Sequence, residues 1–202
     1  MRAPDCPLRV ENSLPVSRQP GCGTSTPPAL PVMTPSPLVF AYGSNLHSGR
    51  MQQRAPSARA VGVGCVWGRK IRFHKRSVDG SAKADACCTG NGGDRIWGVV
   101  YRLNRSDKRA LDGHESLGIG YDEHPVTVRT GPRTAVEAIT YVARDETIDP
   151  SLHPYSWYLG FVREGARQHR LPWCYIHSEL RVETVRDTNA GRRRLNQEIL
   201  DG

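Results

Sequence analysis

Two short stretches carry residues whose types and spacing suit acyl-transfer chemistry. Residues 38–46 read Leu-Val-Phe-Ala-Tyr-Gly-Ser-Asn-Leu, an apolar run that stops in a small-residue turn. A strand ending in Gly43-Ser44-Asn45 leaves backbone N–H groups without ladder partners, and such a concavity binds a carboxylate or a developing oxyanion. Tyr42 would wall it with a ring and a hydroxyl. The second stretch, Leu111-Asp112-Gly113-His114-Glu115, reads as the end of a short amphipathic helix bearing a carboxylate. Glu115 precedes a largely uncharged, Gly-containing loop that ends at Tyr121. Apolar and aromatic surroundings disfavour the charged form of a carboxyl group. That suits a group that must take and return a proton near neutral pH. Free amides plus one carboxylate suffice for acyl transfer, so neither cofactor nor metal is expected. Taken singly, the two stretches also fit a plain turn and a solvated surface glutamate.

The elements that must position these residues follow from periodicity and turn chemistry. Residues 38–42 read as a buried strand broken by Gly43 and Asn45, which tolerate positive φ. Ser48 to Gln53 reads as a single helical turn ended by Pro56. Residues 61–73 read as one strand with small-residue interruptions, followed by a turn at Asp79-Gly80-Ser81 and a short strand over 84–89. In the run Ile96 to Leu103, Trp97, Val99, Tyr101 and Leu103 alternate onto one face. Ser106 is the expected N-cap of a helix through His114, with Gly118-Ile119-Gly120 as its terminator. Residues 124–130 and 134–143 read as a hairpin about Gly131-Pro132. Pro154 is expected to open a helix whose buried face is Tyr155, Tyr158, Leu159, Val162 and Ala166. A last helix is expected over Trp173 to Leu180, with an irregular, charged, Arg-rich tail from Arg181 to Gly202. Hairpin-linked strands and few helices predict an α+β fold: a mainly antiparallel barrel or sheet with packed helices.

Composition bounds the rest. The chain has 202 residues, enough for one domain with tails. Residues 1–37 hold many Pro, Ser and Thr and no hydrophobic period, and are expected to be disordered. Met33 is an alternative start just before the first strand. The catalytic domain is expected over 38–180. A net charge of +8 and a pI near 9.5 permit weak attraction to anions, but fit an Arg-rich ordinary surface equally. The six cysteines, Cys6, Cys22, Cys65, Cys87, Cys88 and Cys174, contain no Cys-x-x-Cys pair or zinc spacing and read as reduced thiols of a cytoplasmic protein. No run approaches the ~18 apolar residues of a membrane helix. Residues 1–30 lack the apolar core of a secretory signal.

The motifs resemble, in order along the chain, those of the γ-glutamylcyclotransferases. Phe40-Ala41-Tyr42-Gly43-Ser44-Asn45-Leu46 is similar to the family signature. Arg50-Met51 and Arg54-Ala55-Pro56-Ser57-Ala58 resemble the segment after it, and Phe73 to Lys83 resembles the bacterial members. Trp97-Gly98-Val99-Val100-Tyr101, Leu111-Asp112-Gly113-His114-Glu115, Gly120-Tyr121, Tyr141, Tyr158, Gly165-Ala166 and Leu171-Pro172 complete the likeness over about residues 38–178. Two positions depart from the pattern: Ser116 stands where the family usually carries Gly, and Ala82 where it often does.

The resemblance implies release of 5-oxoproline from a γ-glutamyl amino acid or peptide. Glu115 is implied as the general acid and base. Val39, Phe40, Ala41, Tyr42, Gly43, Ser44, Asn45 and Tyr158 are implied to bind substrate, while Tyr121 and Tyr141 fit either the pocket wall or the core. The expected partner is a small γ-glutamyl substrate, with a homodimer left open and no membrane or specific nucleic acid. Alternatives within the fold are a γ-glutamylamine cyclotransferase, a related acyl-transfer enzyme, and a pocket that only binds. Other chemistries lack their residues. Ser44 has no G-x-S-x-G elbow, His114-Glu115 lacks the second histidine of a zinc site, and Gly62-x-Gly64 lacks the third glycine of a dinucleotide site. Arg192-Arg193-Arg194 reads as a solvated run.

Overall fold

A computed structural model describes residues 35–202. The disorder expected for the head and the start at Met33 concern residues that lie, up to residue 34, outside those described. Seven strands and five helices follow in the order β1 (Leu38–Ala41), α1 (Ser48–Arg54), β2 (Arg59–Trp67), β3 (Arg69–Arg76), β4 (Ala82–Cys88), β5 (Arg95–Arg102), α2 (Arg105–His114), β6 (Tyr121–Arg129), β7 (Ala135–Ala143), α3 (Ser156–Gln168), α4 (Trp173–Glu179) and α5 (Ala190–Asp201). A 3₁₀ turn, Ser44–Leu46, links β1 to α1.

The expected α+β barrel is what forms. Strands β1-β5-β2-β6-β7 close on themselves, and β3-β4 make a separate two-stranded sheet. All barrel pairings are antiparallel except β1 with β7, which meet in parallel at Val39 and Ile139. Closure leaves β1 without a free edge, and Val39, Phe40 and Ala41 are all buried. One apolar core runs from Phe40, Val99, Val100 and Val128 of the barrel to Phe161, Val162 and Ala166 on α3. Asp85 of β4 accepts the Ala143 amide at 2.8 Å, which ties the small sheet to β7.

Several local expectations are corrected. The stretch 61–73 is not one strand. Gly68 takes φ +73, where side chains are disfavoured, and turns the chain from β2 into β3. Asn104, not Ser106, caps α2, accepting the Asp107 amide at 2.7 Å. Helix α3 starts at Ser156, so Tyr155 is its N-cap and not part of its buried face. Residues 181–202 are not simply an irregular tail: α5 follows α4 there, capped by Asn189, with Ile199 and Leu200 packed against the core. Nor is Arg192 merely solvated, since it forks onto the fully buried Asp187 with two 2.6 Å bonds.

Candidate active site

The chain after β1 makes its turn as a 3₁₀ helix, whose leading N–H groups have no intrahelical partner. The amides of Gly43, Ser44 and Asn45 donate to no protein acceptor among the described residues. Helix α3 lies directly on this turn at Gly165. A Cβ there would sit 2.3 Å from the Leu46 carbonyl carbon and from the His47 nitrogen. Only a residue without a side chain permits that approach, so the packing of α3 holds the turn in place.

Glu115 is the C-cap of α2. The helix stops there because Ser116 enters the left-handed region, with φ +53. The Leu117 amide then reaches Asp112 O at 3.0 Å and the Ser116 amide reaches Gly113 O at 3.1 Å. This paired closure is what a left-handed residue makes at a helix end. Helix termination therefore belongs to Ser116 and not to Gly118-Ile119-Gly120. The left-handed backbone also gives a physical reason for glycine at this position, since it suffers no Cβ clash there.

The 3₁₀ turn and helix α1 each deliver one partner of the carboxylate. Glu115 Oε1 accepts from Asn45 Nδ2 at 2.8 Å and from Arg54 Nη1 at 3.0 Å, and Arg54 also donates to Asn45 Oδ1 at 2.9 Å. Glu115 is thus cradled by a cation and an amide, a more polar setting than the apolar surround expected from sequence. Arg50, one turn before Arg54, donates to Ser44 Oγ at 3.2 Å and lies 4.5 Å over the Phe161 ring. Burial, then the nearby Arg54, brings its pKa down to about 10.

Every residue expected at the site lines one pocket: Val39 through Asn45, Glu115, Tyr121, Tyr141 and Tyr158, with Ala84 added. Four tyrosines form its walls. Tyr42 donates to Tyr141 O at 2.6 Å, and Tyr121 donates to Ala84 O at 2.8 Å. Tyr158 accepts the Ala84 amide at 3.0 Å, and its own proton has no protein acceptor among the described residues. Tyr141 donates to Asp112 at 2.6 Å. Burial pushes the hydroxyl pKa of all four upward, so they stay neutral. Tyr121 and Tyr141, left open between wall and core, serve as both: each is buried and each lines the pocket.

A wider cleft opens over this inner slot, sharing Ser44, Glu115, Tyr121 and Tyr158 with it. Its remaining walls include Arg50, Arg54, Lys75, Lys83 and Asp79. None of these charged residues, nor Ala84, is among the catalytic or substrate-binding residues expected from sequence, although Arg50, Arg54 and the stretch Phe73 to Lys83 lie in the motifs that carry the resemblance. A signal existed for the arginines, because Arg50 and Arg54 are four apart on the turn that follows the loop and must share a face. No comparable signal existed for Lys75 and Lys83. Among the described residues, no group of three or more His, Cys, Asp or Glu is arranged to hold a metal, and no helix is long and apolar enough to cross a membrane.

The closed five-stranded barrel with packed helices places the chain in an α+β class of fold, with one pocket that joins the loop after β1 to Glu115. A family model described as AIG2-like matches residues 95–178. The chain is 29% identical over 175 residues to a γ-glutamylcyclotransferase of Bos taurus, covering 81% of this chain and 86% of that one. It is 30% identical over 148 residues to the γ-glutamylcyclotransferase of Homo sapiens, covering 68% and 74%. A solved structure of a γ-glutamyl cyclotransferase superposes with a TM-score of 0.72 at 27% identity, over 83% of this chain and 99% of the other. A crystal structure of a Homo sapiens protein, solved without an assigned function, gives 0.73 at 27% identity, over 84% and 100%. The chain belongs to the γ-glutamylcyclotransferase family.

Proposed function

We propose that this protein converts a γ-glutamyl amino acid or peptide to 5-oxoproline and the free amino acid or peptide, with Glu115 moving the proton. The observation that carries the reading is the position of Glu115. It lies where the narrow slot beside the free amides of Gly43, Ser44 and Asn45 meets the wider cleft. The glutamyl part occupies the slot and the leaving part the cleft. The α-amine nitrogen attacks the γ-carbonyl carbon of its own residue, closing a five-membered ring. Because the attack is intramolecular, the protein's main task is to fold the substrate so that amine and carbonyl meet. The α-amine, with an ordinary pKa of ~7.7–8.0, is largely protonated near neutral pH. The ammonium first gives one proton to solvent; the Glu115 carboxylate then takes a second from the amine nitrogen as the new C–N bond forms, and returns it to the leaving nitrogen as the amide C–N bond breaks.

Asn45 and Arg54 orient the carboxylate, and the loop amides receive either the substrate carboxylate or the oxyanion. Tyr158, with its proton unclaimed by protein, donates to the substrate. The test is a panel of γ-glutamyl amino acids, γ-glutamyl amines and glutathione, with 5-oxoproline and free amine both measured. Equimolar appearance of the two products from at least one member supports the reading. A folded protein that releases neither from any member refutes it.

A further inference from the structure

A second cleft shares no residue with the inner slot or with the cleft over Glu115. Its volume is about 240 Å³, and β3, the start of β5 and helix α4 all contribute to its walls. Strand β1 pairs with β5 only over residues 99–102, so residues 95–98 of β5 run on without a β1 partner, and Trp97 there lines the cleft.

Tyr175 of α4 is a wall residue of this cleft and is 5% exposed. Its Oη is the one fully buried side-chain N or O atom without a hydrogen-bond partner among the described residues. Buried tyrosine hydroxyls ordinarily find a partner. Burial pushes the pKa of this one well above its usual value, and the nearby Trp97 backbone tempers the rise without forming a hydrogen bond. The phenol therefore keeps its proton and has no protein acceptor for it. An unmatched buried donor destabilises the fold, and phenylalanine would fill the same space without that cost.

The charges around Tyr175 are balanced and loosely held. Lys70 and Arg95 face Glu179 and Asp94 as two cations and two carboxylates. Lys70 and Glu179 stand 3.5 Å apart, longer than the ~2.7–2.9 Å of a close charged hydrogen bond. Asp94 and Arg95 form no side-chain ion pair or hydrogen bond among the described residues, and Arg95 lies 5.5 Å from the Trp67 ring. A ligand of one charge would meet a pair of its own sign here, whereas a zwitterion matches both. Aromatic walls with a few convergent polar groups are what small-molecule sites present.

We propose that this cleft binds a free α-amino acid as its zwitterion. Tyr175 Oη donates to the carboxylate, which Lys70 and Arg95 neutralise. Asp94 and Glu179 receive the ammonium, and an apolar side chain lies on Trp97. Because Oη is covered, binding opens the cleft wall locally. The cleft takes no part in ring closure.

Calorimetric titration of the full chain with L-leucine, 3-methylbutylamine and 4-methylpentanoate tests the ligand class, since the amine lacks the carboxylate of leucine and the acid lacks its ammonium. Wild type is expected to bind L-leucine about 10-fold or more tightly than either analogue. Tyr175→Phe and Asp94→Asn should each weaken leucine binding by about 5- to 10-fold, the worth of one such hydrogen bond, and leave leucine-free 5-oxoproline release unchanged. Thermal melts add a readout that a purely structural tyrosine would not give. Without ligand, Tyr175→Phe should melt at or above the wild-type temperature, and L-leucine should raise the wild-type Tm more than that of the variant. A lower ligand-free Tm for Tyr175→Phe would show that Oη is already bonded and would overturn the proposal. Failure of the folded wild type to bind L-leucine would overturn it too. So would equally tight leucine binding by wild type and both variants, which would locate leucine elsewhere on the protein.

Discussion

At the residue scale the site is a carboxylate held by its neighbours. Glu115 was legible in the sequence because it ends a recognisable helix and stands before a Gly-containing, largely uncharged loop. Its partners were not, because Arg54 and Asn45 lie 61 and 70 positions away and meet it only through the fold. Ser116 shows how a departure from a pattern acquires a physical meaning. Its φ of +53 places an L side chain in the left-handed region, which costs roughly 1–2 kcal/mol against glycine. Glycine gives back about 0.5–1 kcal/mol of that through the freedom it has when unfolded. Ser116→Gly is thus expected to stabilise the protein by about 0.5–1 kcal/mol, raising Tm by roughly 2 °C, while leaving 5-oxoproline release intact. A lower Tm would mean that the Ser116 side chain makes a compensating contact that the geometry of the C-cap does not show.

At the element scale, strands and turns with local signals were readable and the packing between elements was not. The β1 run and the hairpin of β6 with β7 follow from alternation and turn residues alone. The division of 61–73 into β2 and β3 hinges on the backbone angle at Gly68, and glycine in an apolar run does not announce which angle it takes. Helix α5 contains no buried residue, so its sequence carries little apolar period to mark it as a helix. It nevertheless reaches the site: Asn196 accepts from Arg50 at 3.1 Å, and Arg50 in turn donates to Ser44. Helix α3 positions the loop by contact, through Gly165. A methyl group there would meet backbone atoms at 2.3 Å that have no rotamer to escape into. Gly165→Ala is therefore expected to cost about 1–3 kcal/mol and, by displacing the Ser44–Leu46 turn, to raise KM. Thermal melts and steady-state kinetics would check it, and an unchanged Tm with unchanged KM would contradict the seating of α3 on the turn.

At the scale of the whole molecule, a chain with 38% hydrophobic residues builds a closed barrel over one apolar core. Tyrosine does much of that work. Burial pushes the hydroxyls of Tyr42, Tyr121, Tyr141, Tyr158 and Tyr175 upward, and that of Tyr101 up to about 12. A group whose folded pKa exceeds its unfolded value of about 10 contributes stability that is complete below pH 10 and is lost as pH rises through the folded value. Alkaline unfolding is therefore expected to begin above pH 10, with phenolate absorbance and loss of circular dichroism rising together. Smooth titration of these tyrosines near pH 10 in a folded protein would contradict their burial. Lys83 acts in the opposite sense. Burial, opposed by Asp79, lowers its pKa to about 8, so the cost of burying its charge is relieved as pH rises from 8 toward its unfolded value of ~10.4.

The central claim is that one carboxylate moves the proton in ring closure. Its most direct test is 5-oxoproline release by Glu115→Gln, set beside the wild type on the best substrate of the γ-glutamyl panel, with thermal melts to show that both proteins are folded. Gln keeps the shape and one acceptor oxygen for Asn45 and Arg54 but cannot take a proton. Loss of a general acid and base is expected to lower kcat by about 10²–10⁴-fold, with KM little changed. A folded Glu115→Gln with kcat near that of the wild type would contradict the account.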